Sequence, residues 1–236
     1  MVRLTSYSEA DIIGERTIVH RALKARNIDM QEPLVETKRD KELKSRRAHI
    51  LEAALMSFLE KGYHQTGVRD IAKRAGVSLG NLYNHFSGKH AVLAEIAALE
   101  REELQPFLSD LRNDAAPLEV LEGFVRNYLI HLSAPENVIL SLEIASEAVR
   151  KPDIAKMFLE NQNASLDALA ALLTRGVKEG CFRSLPDTRE AASLVLDAME
   201  GKALRATLQT NKTTIDHAEL WDFIKSAVIN PRDSPN

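Results

Sequence analysis

Between Ile71 and His85 two short helical patterns meet at one glycine, and that junction limits the folds open to this chain more than any other feature. Ile71-Ala72-Lys73-Arg74-Ala75 reads as the end of a helix beginning near Val68. Gly76 breaks it, and Ser78 is placed to cap a new helix over about 79–85. The glycine supplies the positive φ that a tight turn needs. Ala72 is small where two helices must approach closely, while Val77 and Leu82 are the residues expected to pack inward. Two short helices on a glycine turn make a helix-turn-helix. Its second helix enters a DNA major groove with its N-terminal residues toward the base edges. That places Leu79, Gly80, Asn81, Tyr83, Asn84 and His85 at or near the groove. Asn can pair bidentately with adenine, whereas Ser and Tyr hydroxyls and backbone N–H groups contact phosphate. A helical hairpin packed on its neighbours is the alternative.

Elsewhere the periodicity is helical throughout. Ile50, Ala54 and Phe58 recur at i, i+4 and i+8, and Leu51, Leu55 and Leu59 form a second row beside them. This first helix should run from about Lys44 to Lys61-Gly62, with Thr66 as candidate N-cap for the next. A long helix is expected from about Lys89 to Gln105, stopped by Pro106, followed by helices near 117–133, 136–149, 154–178, 187–209 and 215–229. Pro117, Pro135, Pro152 and Pro186 stand near those starts, where a missing N–H costs nothing. No run alternates with the period of a strand. The expected fold is all-α: an N-terminal three-helix domain carrying the helix-turn-helix, plus a larger helical domain. The expected division is a weakly structured extension at 1–40, the DNA-binding domain at 41–92 and the remainder at 93–236.

Charge follows that division. The net charge of −3 hides a contrast: residues 1–37 carry 5 Lys/Arg against 6 Asp/Glu, residues 38–90 carry 11 against 5, and residues 91–236 carry 15 against 23. A basic block beside an acidic remainder fits one part that meets a polyanion and another that does not. Arg46 and Arg47 open the first helix, where the dipole disfavours cations. Phosphate contact is one reason for the pair and a solvated basic face is the other; Arg69 is a further candidate.

The run Tyr63…Thr66-Gly67-Val68-Arg69-Asp70-Ile71-Ala72-Lys73-Arg74-Ala75-Gly76-Val77-Ser78-Leu79-Gly80-Asn81-Leu82-Tyr83-Asn84-His85-Phe86-Ser87-Gly88-Lys89 resembles the DNA-binding domain of the TetR family of bacterial repressors. The resemblance covers about 45–93. It implies a homodimer whose two recognition helices read a palindromic operator, and release of that double-stranded DNA when a small molecule binds the C-terminal domain. It further implies phosphate contacts from Thr66, Tyr83, His85 and Lys89, with Phe86 in the core. Asn81 departs from the Thr, Ser or Ala common in members, and His90 from an acidic residue.

The second domain is then expected to bind an effector and to dimerise. Plausible pocket lining is Phe107, Phe124, Tyr128, His131, Leu142, Glu143, Ser146, Glu147, Met157, Phe158 and Asn161. Glu143 and Glu147 share a helix face, a repulsion that a cationic ligand would relieve; a solvated face is the blander reading. The helix near 187–209 is apolar most of the way round and needs cover on two sides, which a two-fold partner supplies. The expected interface is Leu194, Val195, Ala198, Met199 and Leu204 with Leu220, Phe223, Ile224 and Val228 of the last helix.

Ser87-Gly88-Lys89-His90 lacks the spacing of a P-loop, and no G-x-G-x-x-G or H-E-x-x-H occurs. The seven His are scattered without ligand spacing and a single Cys excludes a disulfide framework, so no enzyme, metal or cofactor is expected. No stretch reaches 18 apolar residues and no signal-peptide core precedes it, so a cytoplasmic protein without a membrane partner is expected. The rival reading is the same fold without a switch: an architectural or protein-regulated DNA binder.

Overall fold

The computed structural model describes residues 38–209 and 217–229. Nine helices follow one another in these residues, and among them there is no strand. They are α1 Lys38–Lys61, α2 Val68–Arg74, α3 Leu79–His85, α4 Lys89–Leu111, α5 Pro117–Leu132, α6 Pro135–Ala148, α7 Pro152–Lys178, α8 Thr188–Leu208 and α9 Ala218–Val228. The all-α expectation holds. The 1–40 extension lies outside the described residues except for 38–40, which begin α1. The start expected near 215 for the last helix also falls outside them.

The described residues form two compact units. Of the described residues, the first holds 38–103 together with Ile139–Met157; the second holds Leu104–Val138, 158–209 and 217–229.

In the first unit both apolar rows of α1 turn inward. Ile50, Leu51, Ala54, Leu55 and Phe58 are buried and Leu59 is half-buried. Ile71, Ala72, Leu82, Phe86, Val92, Leu93 and Ile96 complete this core. Gly62 ends α1 at φ +81, and its N–H donates to the Phe58 carbonyl at 2.8 Å.

The N-cap of α2 is Gly67, not Thr66. The Gly67 N–H donates to the Asp70 carboxylate at 2.9 Å, half of a capping box. Thr66 is 1% exposed, and its hydroxyl donates to the carbonyls of Ser57 (3.0 Å) and Gly62 (2.8 Å). Thr66 instead satisfies carbonyls at the end of the preceding helix.

In the second unit α5 presents Leu121, Phe124, Val125 and Leu129 to Leu169, Leu172 and Leu173 of α7, Met199 of α8 and Ile224 of α9. Gly176 admits the ring of Phe182: a Cβ there would sit 2.1 Å from the ring. Asp187 caps α8, accepting from the N–H groups of Arg189 (2.8 Å) and Glu190 (3.1 Å).

Helix α4 does not stop at Pro106; it continues to Leu111. A mid-helix proline costs about 3 kcal/mol through the lost N–H and the clash with the preceding turn. Here Gln105 and Pro106 lie on the exposed side, while Leu104, Leu108 and Leu111 are buried on either side of the break. Burying those leucines, at about 1.5–3 kcal/mol each, outweighs the proline.

Candidate nucleic-acid interface

The sequence builds the turn between α2 and α3 as expected. Gly76 adopts φ +61. Ser78 is the N-cap of α3, its Oγ accepting from the Asn81 N–H at 3.1 Å. Leu82 is fully buried and Phe86 is 2% exposed, so two anchors four residues apart fix the rotation of α3. That rotation turns Gly80, Tyr83 and Asn84 outward, with Tyr83 at 49% exposure. Leu79, Asn81 and His85 are half-buried at the edges of this face. No atom lies within 4 Å of where a Cβ on Gly80 would stand. Packing therefore does not explain this glycine; it keeps the helix surface flush beside Tyr83 and Asn84.

Beside the turn lies an open groove of about 770 Å³, lined in part by Arg46, His49, Val77, Ser78 and Asn81. Arg46 is exposed there, and Arg69 is exposed on α2. The Asn81 Oδ1 is buried without a hydrogen-bond partner. The exposed face of α3 and the groove together give a surface of hydroxyl, amide and guanidinium groups suited to a phosphate backbone and base edges.

Two of the cations expected at DNA have partners within the protein. Arg47 donates to the His85 carbonyl (2.5 Å) and to the Glu95 carboxylate (3.0 and 3.3 Å), and its guanidinium lies 4.3 Å from the Phe86 ring centroid. It closes the C-terminus of α3, where a cation complements the dipole. Lys89 donates to the carbonyls of Tyr63 (2.6 Å) and His64 (3.3 Å), with its Nζ 4.2 Å from the Tyr63 ring centroid. Its burial lowers the ammonium pKa. Thr66, as above, has no exposed hydroxyl to offer. The His85 imidazole is also held below its ordinary value, first by burial and then by Arg47 and Arg46.

The expected pocket residues divide between the units. Leu142, Glu143, Ser146, Glu147 and Met157 belong to the first; Phe107, Phe124, Tyr128, His131, Phe158 and Asn161 belong to the second. The glutamates do not wait for a cationic ligand. Glu143 accepts from the Tyr63 N–H at 2.9 Å. Glu147, 6% exposed, pairs with Lys151 at 2.8 Å and lies 3.4 Å from His64. Lys151 is the main reason its carboxyl pKa is lowered. Ser146 bonds Arg150 four residues along. In the second unit Phe107, Phe124, Tyr128 and His131 form one ring cluster with centroids 5.1–5.9 Å apart. Phe124 is 2% exposed, a core residue.

The expected dimer surface divides too. Val195, Met199, Leu220, Ile224 and Val228 are buried within the chain's own core. Ala198 packs partly against that core and Leu204 is half-buried. Leu194 and Phe223 face outward at 61% and 66% exposure, joined by Leu208 at 70%. A helix apolar all round shows no visible boundary between the face its own chain covers and the face left over.

Among the described residues no cluster of side chains could hold a metal ion, and no helix is long and apolar enough to cross a membrane.

Similarity to known proteins follows the same regions. The profile of the tetR family of bacterial regulatory proteins matches residues 50–96, and that of the AefR-like transcriptional repressor C-terminal domain matches 119–229. The HTH-type transcriptional repressor KstR2 of Mycobacterium tuberculosis is 30% identical over 145 residues, 60% of this chain and 72% of that protein. The fatty acid metabolism regulator protein of Bacillus subtilis is 25% identical over 166 residues, 68% and 82% of the two chains. The solved structure of the fatty acid degradation regulator FadR from Bacillus halodurans superimposes with a TM-score of 0.62 at 26% identity, covering 80% of this chain and 97% of that one.

Proposed function

This chain belongs to the TetR family of transcriptional regulators, and from that premise we propose that it is a homodimeric repressor reading a palindromic operator through α3. The observation that carries the reading is α3 itself: anchored by Leu82 and Phe86, capped by Ser78, and bare along Gly80, Tyr83 and Asn84. Asn84 is the base-reading side chain, with Asn81 beside it. Ser78, Leu79 and Tyr83 line the approach; Arg46 and Arg69 contact phosphate. Thr66, Arg47 and Lys89 support the head from inside.

A small-molecule effector releases the DNA by binding a DNA-incompetent arrangement better than the competent one; only such differential affinity shifts the population. The relatives concerned with fatty acid metabolism and degradation make a fatty-acid-derived effector the first class to test.

The test is selection from randomised duplexes, followed by titration of the selected site and of unrelated DNA, with free fatty acids and their CoA thioesters added. Selective binding relieved by one compound is the expected result. Selective binding relieved by none would leave a DNA binder without this switch. Absence of salt-dependent binding would overturn the reading.

Two further results are expected. Asn84→Ala should lose about 1–3 kcal/mol on the selected site and little on random DNA. Tyr83→Ala should weaken both alike, because phosphate contacts carry no sequence information. Equal losses for Asn84→Ala would remove it from base reading.

Affinity should also depend on pH through His85, whose proton is disfavoured in the free protein. A phosphate beside the ring favours the imidazolium, so binding takes up a proton. Affinity then rises as pH falls through the bound-state pKa and levels off below the free-state value, itself under the ordinary value of about 6.5. Isotherms across that range should lose this slope in His85→Gln; an unchanged slope would place His85 away from phosphate.

A further inference from the structure

We propose that Glu143 is a positioning residue for DNA reading: its carboxylate, from α6, sets the turn between α1 and α2 and so the seat of the helix-turn-helix. The inference rests on the DNA-binding reading above and adds a residue far from α3 in sequence.

The turn at 62–66 is short, and its polar groups are held from several sides. The Gly62 N–H goes back to Phe58 of α1, and the Thr66 N–H returns to the Gly62 carbonyl at 3.2 Å. Lys89, the first residue of α4, takes the Tyr63 and His64 carbonyls. The Tyr63 N–H points the other way, to Glu143 Oε2 at 2.9 Å. Tyr63 is 3% exposed and its ring meets Phe58 edge-on with centroids 5.1 Å apart, so water has little access to replace that acceptor.

Gly62 gives a second, independent sign that the carboxylate belongs there. A Cβ on Gly62 would stand 2.9 Å from both Glu143 carboxylate oxygens. The positive φ favours the glycine, and a Cβ there would displace the Glu143 carboxylate from its seat. Around the pair, the repulsion between Glu143 and Glu147 is offset by Lys151, whose Nζ lies 2.8 Å from the Glu147 carboxylate and 5.8 Å from the Tyr63 ring centroid, and by Lys89, whose Nζ lies 4.2 Å from the same centroid. Glu143 is left free to serve the turn.

The consequence for DNA is geometric. Thr66 and Gly67 pass straight from this turn into α2, and Ile71 and Ala72 of α2 share a core with Leu82 of α3. A shift of the turn is a shift of α2, and with it of the face bearing Tyr83 and Asn84. Base contacts tolerate such a shift poorly, whereas phosphate attraction tolerates it well.

The experiment compares Glu143→Ala and Glu143→Gln with the wild type, well below their melting temperatures. Readouts are amide hydrogen exchange at Tyr63 and affinity for the selected site and for random DNA. Alanine orphans a buried N–H; exchange at Tyr63 should speed up and selected-site affinity fall about tenfold, with random-DNA affinity retained. Glutamine keeps an acceptor oxygen and should restore both. A Glu143→Ala protein that discriminates between the two DNAs as well as the wild type overturns this inference alone. A wild type that does not discriminate at all overturns the DNA-binding reading and this one with it.

Discussion

Leu194→Glu combined with Phe223→Glu is expected to yield a folded monomer that has lost about a hundredfold or more of its operator affinity. Both side chains are large, apolar and mostly exposed on the single chain, at 61% and 66%. Neither contributes to the buried cluster around Met199 and Ile224, so charge there should leave helicity and the core intact. Across a two-fold interface each substitution appears twice and brings desolvated like charges together. Two linked heads gain roughly two to four decades of affinity over one, because the second binding event is intramolecular. Splitting the dimer forfeits that gain and should roughly halve the salt slope per complex. Sedimentation with DNA titration checks it. A dimer of undiminished affinity would move the interface away from these two residues.

Phe124→Ala should cost about 3–5 kcal/mol, a fall in melting temperature of roughly 10 °C. The ring is 2% exposed, stacks on Tyr128 at 5.1 Å between centroids, and lies in the cluster that joins α5 to α7, α8 and α9. Its deletion leaves a void that the surrounding leucines fill only in part. Thermal denaturation gives the answer. A loss below about 1 kcal/mol would mean that the ring lines open space, as the sequence had suggested, instead of filling a core.

The chemistry of helix ends was the most legible part of this chain. Ser78, Gly76, Gly62 and the prolines at 117, 135 and 152 act locally, and their consequences lie within a few residues. Pro106 failed as a stop signal because the burial of Leu104, Leu108 and Leu111 overrides a local preference. The outward face of α3 was legible because helical period alone separates Tyr83 and Asn84 from Leu82.

Charged residues were read less well. Arg47, Lys89, Glu143 and Glu147 all looked available for a ligand. Glu147 pairs with Lys151 four residues along, but the partners of Arg47, Lys89 and Glu143 are Glu95, the Tyr63 carbonyl and the Tyr63 N–H, separated from them by 26 to 80 residues. Local sequence carries no mark of such distant pairings. Two hints existed: Gly62 before an aromatic residue, and like charges four apart that needed opposite charge from somewhere. The faces of the last two helices were legible only in part, since apolar type alone does not say whether Leu194 or Val195 meets the chain's own core.

Gly80 has a consequence for how such a reading head changes over time. A glycine inside a helix sacrifices up to about 1 kcal/mol relative to alanine. At Gly80 the surrounding protein asks for nothing in return, because a Cβ there would meet no atom of another part of the chain within 4 Å. Mutation at this codon therefore starts with a small surplus of fold stability and alters only what the helix meets outside itself. On the reading proposed above, it is an unwritten position in the binding code, open to a new operator preference without repair elsewhere in the chain.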